Sequence, residues 1–542
     1  MKKTILLSIL LISTALAAQE RVYVATDRTA YIAGDLVYCS LFALDKDGIP
    51  GGKSAVAYLE LVSADGTATE AKIGLLNGRG AGSFRIPAVT PTGNYRLVAY
   101  TASSVPDAKS AGIISVFNTG STARVKDGVK IVPQSAYKAP QTATDVYSEY
   151  LSISLPSRLQ SQKEASLILS AKGVDADVSV SVFHDDALSP ENRASLEAFL
   201  TSGPATPSGK PVEYEGEVIS ARVEGLGGGG EADMATAFLS STGAPSNVYI
   251  GRSGEGGLVR FYTGNIYGDR EIVCEVSSLS GNLCRLNLLS PFAHPEADDV
   301  PALSLSPAQR GALIARKASL RENYSLPLDT LVQFLPKRED LLLSGSPSVH
   351  YHLDDYTRFP TVREICTEFI RELQFVRRDG RWRVRMTVND GTSSRKYLQD
   401  NILVMMDGVV LTDHGMLESF DGNLLEDVDL YCQALSIGGV SYNGAVNFIT
   451  KKNYVTALQF PENVRVLDFK GVSYPVAYPG EALSGNDSRQ LLYWHPAMKI
   501  RAGGQEQIRL RIPSYPGNFR VVAEGWTADG KPVRTEYSFR VD

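Results

Sequence analysis

Six histidines, His184, His294, His350, His352, His414 and His495, are the side chains on which metal binding or proton transfer would turn. His350 and His352 form a His-x-His pair followed at once by Asp354 and Asp355. On a strand, residues two apart share a face, so both rings would meet one ion with carboxylates close by. A catalytic zinc needs three placed protein ligands and an open position. This group lies in a polar connection just before a helix-capping sequence, and no metal ligand is assigned. Asp413-His414 and His184-Asp185-Asp186 set imidazole beside carboxylate, as acid–base work requires. A hydrolytic triad also needs a nucleophile on a defined turn and an oxyanion hole, and the chain has no Gly-x-Ser-x-Gly. His184-Asp185-Asp186 reads instead as a strand end whose polar residues face water. No catalytic, cofactor-binding or metal residue is assigned.

Two further motifs fall short of the chemistry they suggest. Asp45-Lys46-Asp47-Gly48 begins like a calcium loop, but the twelfth position, where a bidentate Glu belongs, is Val56. A β-turn is the better reading. The Gly225–Gly230 run lacks the Gly-Lys-Ser/Thr of a phosphate loop and reads as a surface loop. The five cysteines, Cys39, Cys274, Cys284, Cys366 and Cys432, contain no C-x-x-C pair. Cys39, Cys274 and Cys432 sit among strand-like residues, where buried free thiols are expected, with a hairpin disulfide between Cys274 and Cys284 the alternative in an oxidising compartment.

The elements that must position these residues are mostly strands. The chain has 542 residues, enough for three to five domains at about 150 residues each. Short runs alternate apolar and polar residues between Gly, Pro, Asn and Asp, as antiparallel sandwiches do. Val178–Phe183 is a clear case, with one apolar face and one of small polar residues. Arg85-Ile86-Pro87 followed by Gly93-Asn94-Tyr95-Arg96-Leu97-Val98-Ala99 recurs as Arg511-Ile512-Pro513 and Gly517-Asn518-Phe519-Arg520-Val521-Val522-Ala523. A looser copy runs from Val259-Arg260-Phe261 to Gly268–Val273. The repetition points to several similar β-domains in series, with the Gly suited to a turn of positive φ.

Two stretches are helical. Ser306-Pro307 starts one that runs to about Asn323, with Ser as N-cap and Pro in the first turn. Thr361 with Glu364 forms a capping box. Val362, Ile365, Cys366, Phe369, Ile370 and Leu373 then share a helical face, which makes Cys366 a packed core thiol. Strand patterns follow at Trp382–Val388, Ile402–Met406 and Ala445–Thr450, so this region is a small α+β domain.

The N-terminus joins Lys2-Lys3, an apolar run from Ile5 to Ile12, and Ala15-Leu16-Ala17. That is the pattern of a secretory signal peptide. The apolar run is shorter than the roughly 20 residues that span a bilayer, and no later segment is long and apolar enough. An exported protein is expected, in the periplasm or at the outer membrane. The formal net charge is −6 and shows no basic stripe for nucleic acid.

Tyr23-Val24-Ala25-Thr26-Asp27-Arg28, Tyr31, Gly34-Asp35 and Gly93–Arg96 resemble a macroglobulin-type domain of the alpha-macroglobulin superfamily, which implies a seven-stranded sandwich. Val178–Leu188 resembles a further strand of that kind. Tyr214–Ser220 resembles the opening of a second type of sandwich from bacterial surface proteins. Leu403–Val409, Leu425–Leu430 and Gly444–Lys452 resemble, in order, three pieces of the plug domain of TonB-dependent receptors. With Leu353–Thr361 and Leu492–Pro496, the order resembles exported Bacteroidetes proteins that join these modules.

Two departures limit what carries over. A receptor barrel needs many strands of about ten residues, and the stretch after Lys452 is too short for one. The internal thioester sequence Cys-Gly-Glu-Gln of alpha-macroglobulin inhibitors is absent.

The expected organisation is mainly β. It has a signal peptide at 1–18, a macroglobulin-like sandwich at 19–118, a second macroglobulin-like region at 140–210 and a β-sandwich at 211–300. A helical linker at 301–345, a plug-like α+β domain at 346–454 and a C-terminal sandwich at 455–542 follow. The expected function is non-catalytic binding or scaffolding in the cell envelope, with a protein partner such as an outer-membrane β-barrel, no cofactor and no nucleic acid. The alternatives are a protease-interacting protein without the thioester, with Gly225–Glu231 as the cleavable segment, and a glycan-binding module.

Overall fold

Alternating sequence becomes paired strands throughout the computed structural model, which describes residues 20–109, 111–120, 125–135, 145–189, 196–226, 234–243, 246–278, 283–324, 332–333, 342–389, 396–478 and 487–542. The proposed signal peptide lies outside them. The chain folds into two compact units. One holds residues up to Gly216, Phe292–Leu335 and Val472–Asp542; the other holds Glu217–Pro291 and Pro336–Gly471.

The first unit contains two sandwiches. In the first, Arg21–Thr26, Leu36–Leu44 and Arg79–Arg85 form one layer. Gly66–Leu76, Val56–Ser63, Gly93–Tyr100 and Gly112–Phe117 form the other. Ala30–Ile32 adds a short parallel strand beside Gly112–Phe117 and Val472–Ser473 another beside Gly66–Leu76, giving nine strands where the resemblance implies seven. Val37, Cys39 and Leu41 from one layer pack with Leu59, Leu61, Leu97 and Ile114 from the other. The Asp27–Asp35 motif is the clasp of this sandwich. Asp27 Oδ1 accepts from the Tyr31 hydroxyl at 2.8 Å and from the Tyr38 N–H at 2.9 Å, and its Oδ2 pairs with Arg28 at 2.9 Å. Asp35 accepts from the Ile32 N–H at 3.0 Å. Buried polar groups must be bonded in this way or be costly.

The second sandwich differs from the expected division. Leu151–Ser154, Glu164–Ala171 and Gln505–Arg511 make one layer. Ala176–His184 lies in the other, between Leu491–Ile500 and Gly517–Thr527, with Pro532–Val541 beyond. Strands of 151–184 and 491–541, from regions 140–210 and 455–542 expected as separate domains, therefore make up one sandwich. Leu151, Leu167, Val178 and Val180 share its core with Ile508, Leu510, Phe519 and Val521. The small polar face of Val178–Phe183 is not open to solvent: Ser179 and Ser181 are buried along with the valines. A strand flanked on both sides in a covered sheet has no solvent face.

The 301–345 segment is more than a linker. Ser306 caps its start in a reciprocal box with Gln309, and helix Arg310–Tyr324 packs Ala312, Leu313 and Leu320 against Ile32, Phe117 and Leu188.

In the second unit, Leu258–Tyr262, Val218–Gly225 and Cys284–Leu288 form one layer of a third sandwich. Asn247–Arg252, Thr236–Ser241, Asp269–Ser277 and Arg465–Lys470 form the other. The expected 211–300 domain thus takes its last strand from the region expected to begin the C-terminal sandwich. The α+β module follows the anticipated pattern. Its main sheet runs Val349–His352, Leu425–Tyr431, Ala445–Thr450, Leu403–Met406, Val409–Val410. A three-stranded sheet of Leu373–Arg378, Arg381–Asn389 and Lys396–Gln399 stands beside it. The capped helix is shorter than its apolar face suggested: it spans Val362–Glu368, with Thr361 Oγ1 accepting from the Glu364 N–H at 3.2 Å. Ile370 and Leu373 still reach the module's core, from the following turn and strand.

All three copies of the repeated motif do the same job. In each, the chain leaves a strand of one layer and enters a strand of the opposing layer of its sandwich. The reason for glycine varies. Gly268 has φ 72°, as a turn of positive φ demands. Gly517 instead makes room, since a Cβ there would lie 2.5 Å from His184 Nε2.

Candidate functional site

The His-x-His pair is assembled on the edge of the α+β module's main sheet. Val349–His352 runs antiparallel to Leu425–Tyr431 in a register that sets His350 opposite Asp429 and His352 opposite Asp427. The period of two brings all four side chains to one face. His350 Nδ1 lies 2.7 Å from Asp429 Oδ1, and His352 Nδ1 lies 2.7 Å from Asp427 Oδ1. His350 Nε2 is 3.8 Å from Asp427 Oδ1. The Asp427 hydrogen bond raises the pKa of His352 above the ordinary imidazole value.

The carboxylates anticipated for this group were different ones. Asp354 is instead ion-paired with Arg358, and Leu353–Asp355 forms a short 3-10 turn. The cross-strand aspartates lie more than seventy residues away in sequence, which is why local spacing pointed to the wrong pair. Among the described residues the side-chain hydrogen bonds of both rings run to aspartate. The arrangement is a ladder of two His–Asp pairs at a sheet edge.

The other candidate dyads are built into the fold. His414 is buried and accepts the Val384 N–H on Nδ1 at 2.8 Å; burial pushes its pKa down to about 4. Asp413 bonds the Gly415 N–H at 3.0 Å, as a turn residue does. His184-Asp185-Asp186 does not face water. His184 Nδ1 meets Gln490 Oε1 at 3.0 Å, and its ring packs on Tyr515 and Phe519. Asp185 pairs with Arg520 at 2.7 Å and Asp186 with Arg316 at 2.7 Å. Burial pushes the Asp186 carboxyl up, but the Arg316 guanidinium outweighs it and holds the group below the usual range. Asp45 Oδ1 accepts from the N–H groups of Asp47 and Ile49, a turn as expected. Residues 227–233 of the Gly-rich loop lie outside the described residues.

None of the five cysteines is in a disulfide. Cys274 and Cys284 stand on strands of opposite layers of the third sandwich and line its core, so the alternative of a hairpin disulfide is not realised here. Burial pushes the Cys274 thiol up to about 12, far from a reactive thiolate.

Two groups escaped the sequence reading. Glu275 is buried, accepts from the Thr412 hydroxyl and N–H, and burial raises its pKa to about 7. Glu60, Glu70 and His294 converge at a second location. Glu60 and Glu70 flank a turn at Ser63–Gly66, which is a legible hairpin signal, but nothing local announces His294.

Fold and site together define a mainly β protein of several sandwiches with one α+β module. No family model and no curated protein matches the chain. Among solved structures, it is similar to alpha-2-macroglobulin of Salmonella reacted with methylamine, at 11% identity over 97% of this chain and 40% of that one, with a TM-score of 0.24. Native alpha-2-macroglobulin of Escherichia coli gives 9% identity over 96% and 40%, TM-score 0.25. The Escherichia coli adhesin FdeC gives 12% over 50% and 65%, TM-score 0.16. The chain spans about two fifths of the length of the macroglobulins. These superpositions are too loose to establish a common fold, and the fold class rests on the strand topology above. Among the described residues no helix is long and apolar enough to cross a membrane.

Proposed function

We propose that this chain is a non-catalytic binding or scaffold protein of the bacterial cell envelope, accessory to an outer-membrane β-barrel. One observation carries the reading. The three segments that resemble a receptor plug, Leu403–Met406, Leu425–Tyr431 and Ala445–Thr450, are adjacent strands of a single sheet. The Asp407-Gly408 turn after the first of them is tied to the last: Asp407 Oδ1 accepts the Thr450 N–H at 2.7 Å, and Asn447 Oδ1 accepts the Gly408 N–H at 2.9 Å. Such a module is a compact body of a kind that sits within barrels; the step from it to a barrel partner is by analogy of fold. Export is supported by the three-part N-terminal pattern.

The test is photo-crosslinking in living cells. A crosslinking residue at His350 or Asp354, both exposed on the α+β module, is expected to capture a barrel protein. The same residue at Leu76, exposed on the first sandwich, should not. Recovery of soluble proteins alone from the module would overturn the proposal.

A further inference from the structure

The pairing of Val56–Ser63 with Gly66–Leu76 sets Glu60 directly opposite Glu70. Like charges facing each other across a ladder repel, and Glu60 is fully buried, where an ionised carboxylate needs a close counter-charge. His294 supplies nitrogen to this point. It adopts a left-handed backbone with φ 49°, and its Nδ1 lies 3.2 Å from Glu60 Oε2 and 3.4 Å from Glu70 Oε1. We propose that Glu60, Glu70 and His294 form a site for a divalent transition-metal ion, with zinc the best match.

Four features point the same way. First, ligand atoms bound at about 2.0–2.1 Å in a tetrahedron lie roughly 3.3 Å apart, and the nitrogen-to-oxygen separations here straddle that value. Second, Nδ1 faces both carboxylates and also Thr67 Oγ1 at 3.4 Å. A ring nitrogen carries one proton at most and can direct it to one oxygen, whereas an ion between the groups serves both carboxylates. Third, Glu60 is fixed in advance. Its Oε1 accepts from the Tyr100 hydroxyl at 2.5 Å and from the N–H groups of Ala293 and His294 at 3.1 and 3.0 Å, and Oε2 accepts from the Thr67 hydroxyl at 3.0 Å. Outer hydrogen bonds of this kind orient metal ligands. Fourth, the His294 side chain is 53% exposed, which leaves a path for the ion. One imidazole with two carboxylates suits zinc better than calcium, which takes six to eight oxygens.

The experiment is titration of the chelator-treated full chain with Zn²⁺ in competition with a chromogenic chelator. His350→Ala and His352→Ala are included in the parent so that the sheet-edge histidines do not contribute. The parent should take up about one equivalent, and its melting temperature should rise with zinc. Glu70→Gln and His294→Asn should each weaken uptake at least about tenfold and abolish that rise; Asn tolerates the left-handed backbone. X-ray absorption on the parent alone gives a reading that needs no variant, with one imidazole and oxygen ligands expected near 2.0–2.1 Å. No uptake by the parent, equal uptake by parent and variants, or a shell with more than one imidazole would each overturn the site.

Discussion

His184-Asp185-Asp186 and His350–His352 with their aspartates are both ends of strands that set imidazole near carboxylate, and the molecule uses them oppositely. At the first, charge is buried and continuous. Asp185 meets Arg520 at 2.7 Å, Arg520 meets Glu536 at 2.8 Å, Glu536 meets Arg534 at 2.6 Å, and Arg534 meets Glu524 at 2.8 Å. The Tyr23 hydroxyl closes the chain on Glu524 at 3.0 Å. At the second, the pairs are simple, cross-strand and open to water, with His350 and His352 side chains 53% and 42% exposed. The difference follows from what the rest of the chain brings. Arg520 and Glu536 come from the far end of the sequence and seal the first site within a sandwich; an edge strand leaves the second uncovered. A charge in the first place is locked into the fold, and a charge in the second lies open to solvent.

The comparison breaks most severely at Arg520, which has no exposed surface. Arg520→Met removes a guanidinium from both Asp185 and Glu536. Breaking a buried pair from one side typically costs about 3–5 kcal/mol, because the remaining charge stays uncompensated. Urea denaturation followed by Trp494 and Trp526, both in this unit, should show that loss. A change below about 1 kcal/mol would mean that water reaches the network, since solvated pairs have values in that range.

The same contrast explains what could be read in advance. Strand and cap positions were legible because their signals are local: period two in Ala445–Thr450, Ser306 with Gln309, Thr361 with Glu364. The union of Ala176–His184 with Leu491–Ile500 and Gly517–Thr527 was not, because antiparallel pairing leaves no mark of which distant strand is the partner. The nearest clue was the repeated motif, whose copies each cross between layers, but it revealed the kind of domain rather than the segments that compose it. Site geometry failed for the same reason. Asp354 is near His352 in sequence and Asp427 is near it in space. Glu60 and Glu70 sit across a visible turn, while His294 arrives from more than two hundred residues away.

A buried carboxyl without the arginines of the first site sharpens the lesson. Glu275 receives hydrogen bonds from Thr412, yet desolvation raises its pKa from 4.5 to about 7. A group whose folded pKa is raised favours the native state in its protonated form. Its contribution is complete below about pH 4.5 and is lost as pH rises through about 7. The second unit should therefore be less stable at pH 8 than at pH 5, by on the order of 3 kcal/mol from this residue. Glu275→Gln should flatten that dependence and raise the melting temperature at pH 8. An unchanged pH profile in the variant would show that Glu275 ionises within the fold without penalty.

The smallest effect is the most discriminating for the sheet edge. His352 has its pKa raised first by the hydrogen bond to Asp427, with smaller contributions from Asp355 and Asp354. As with Glu275, a raised folded pKa means stabilisation that is present below the ordinary imidazole value and fades as pH rises through the folded one. Because the ring is open to solvent, the readout is the titration itself, followed by NMR of the imidazole protons. Asp427→Asn should move the His352 midpoint down toward the ordinary imidazole value, whereas Asp354→Asn should move it less. If the two substitutions acted equally, the neighbours in sequence would govern this histidine as much as the neighbour across the sheet. The distinction between a sealed network and an open cross-strand pair would then fail at the place where it is easiest to measure.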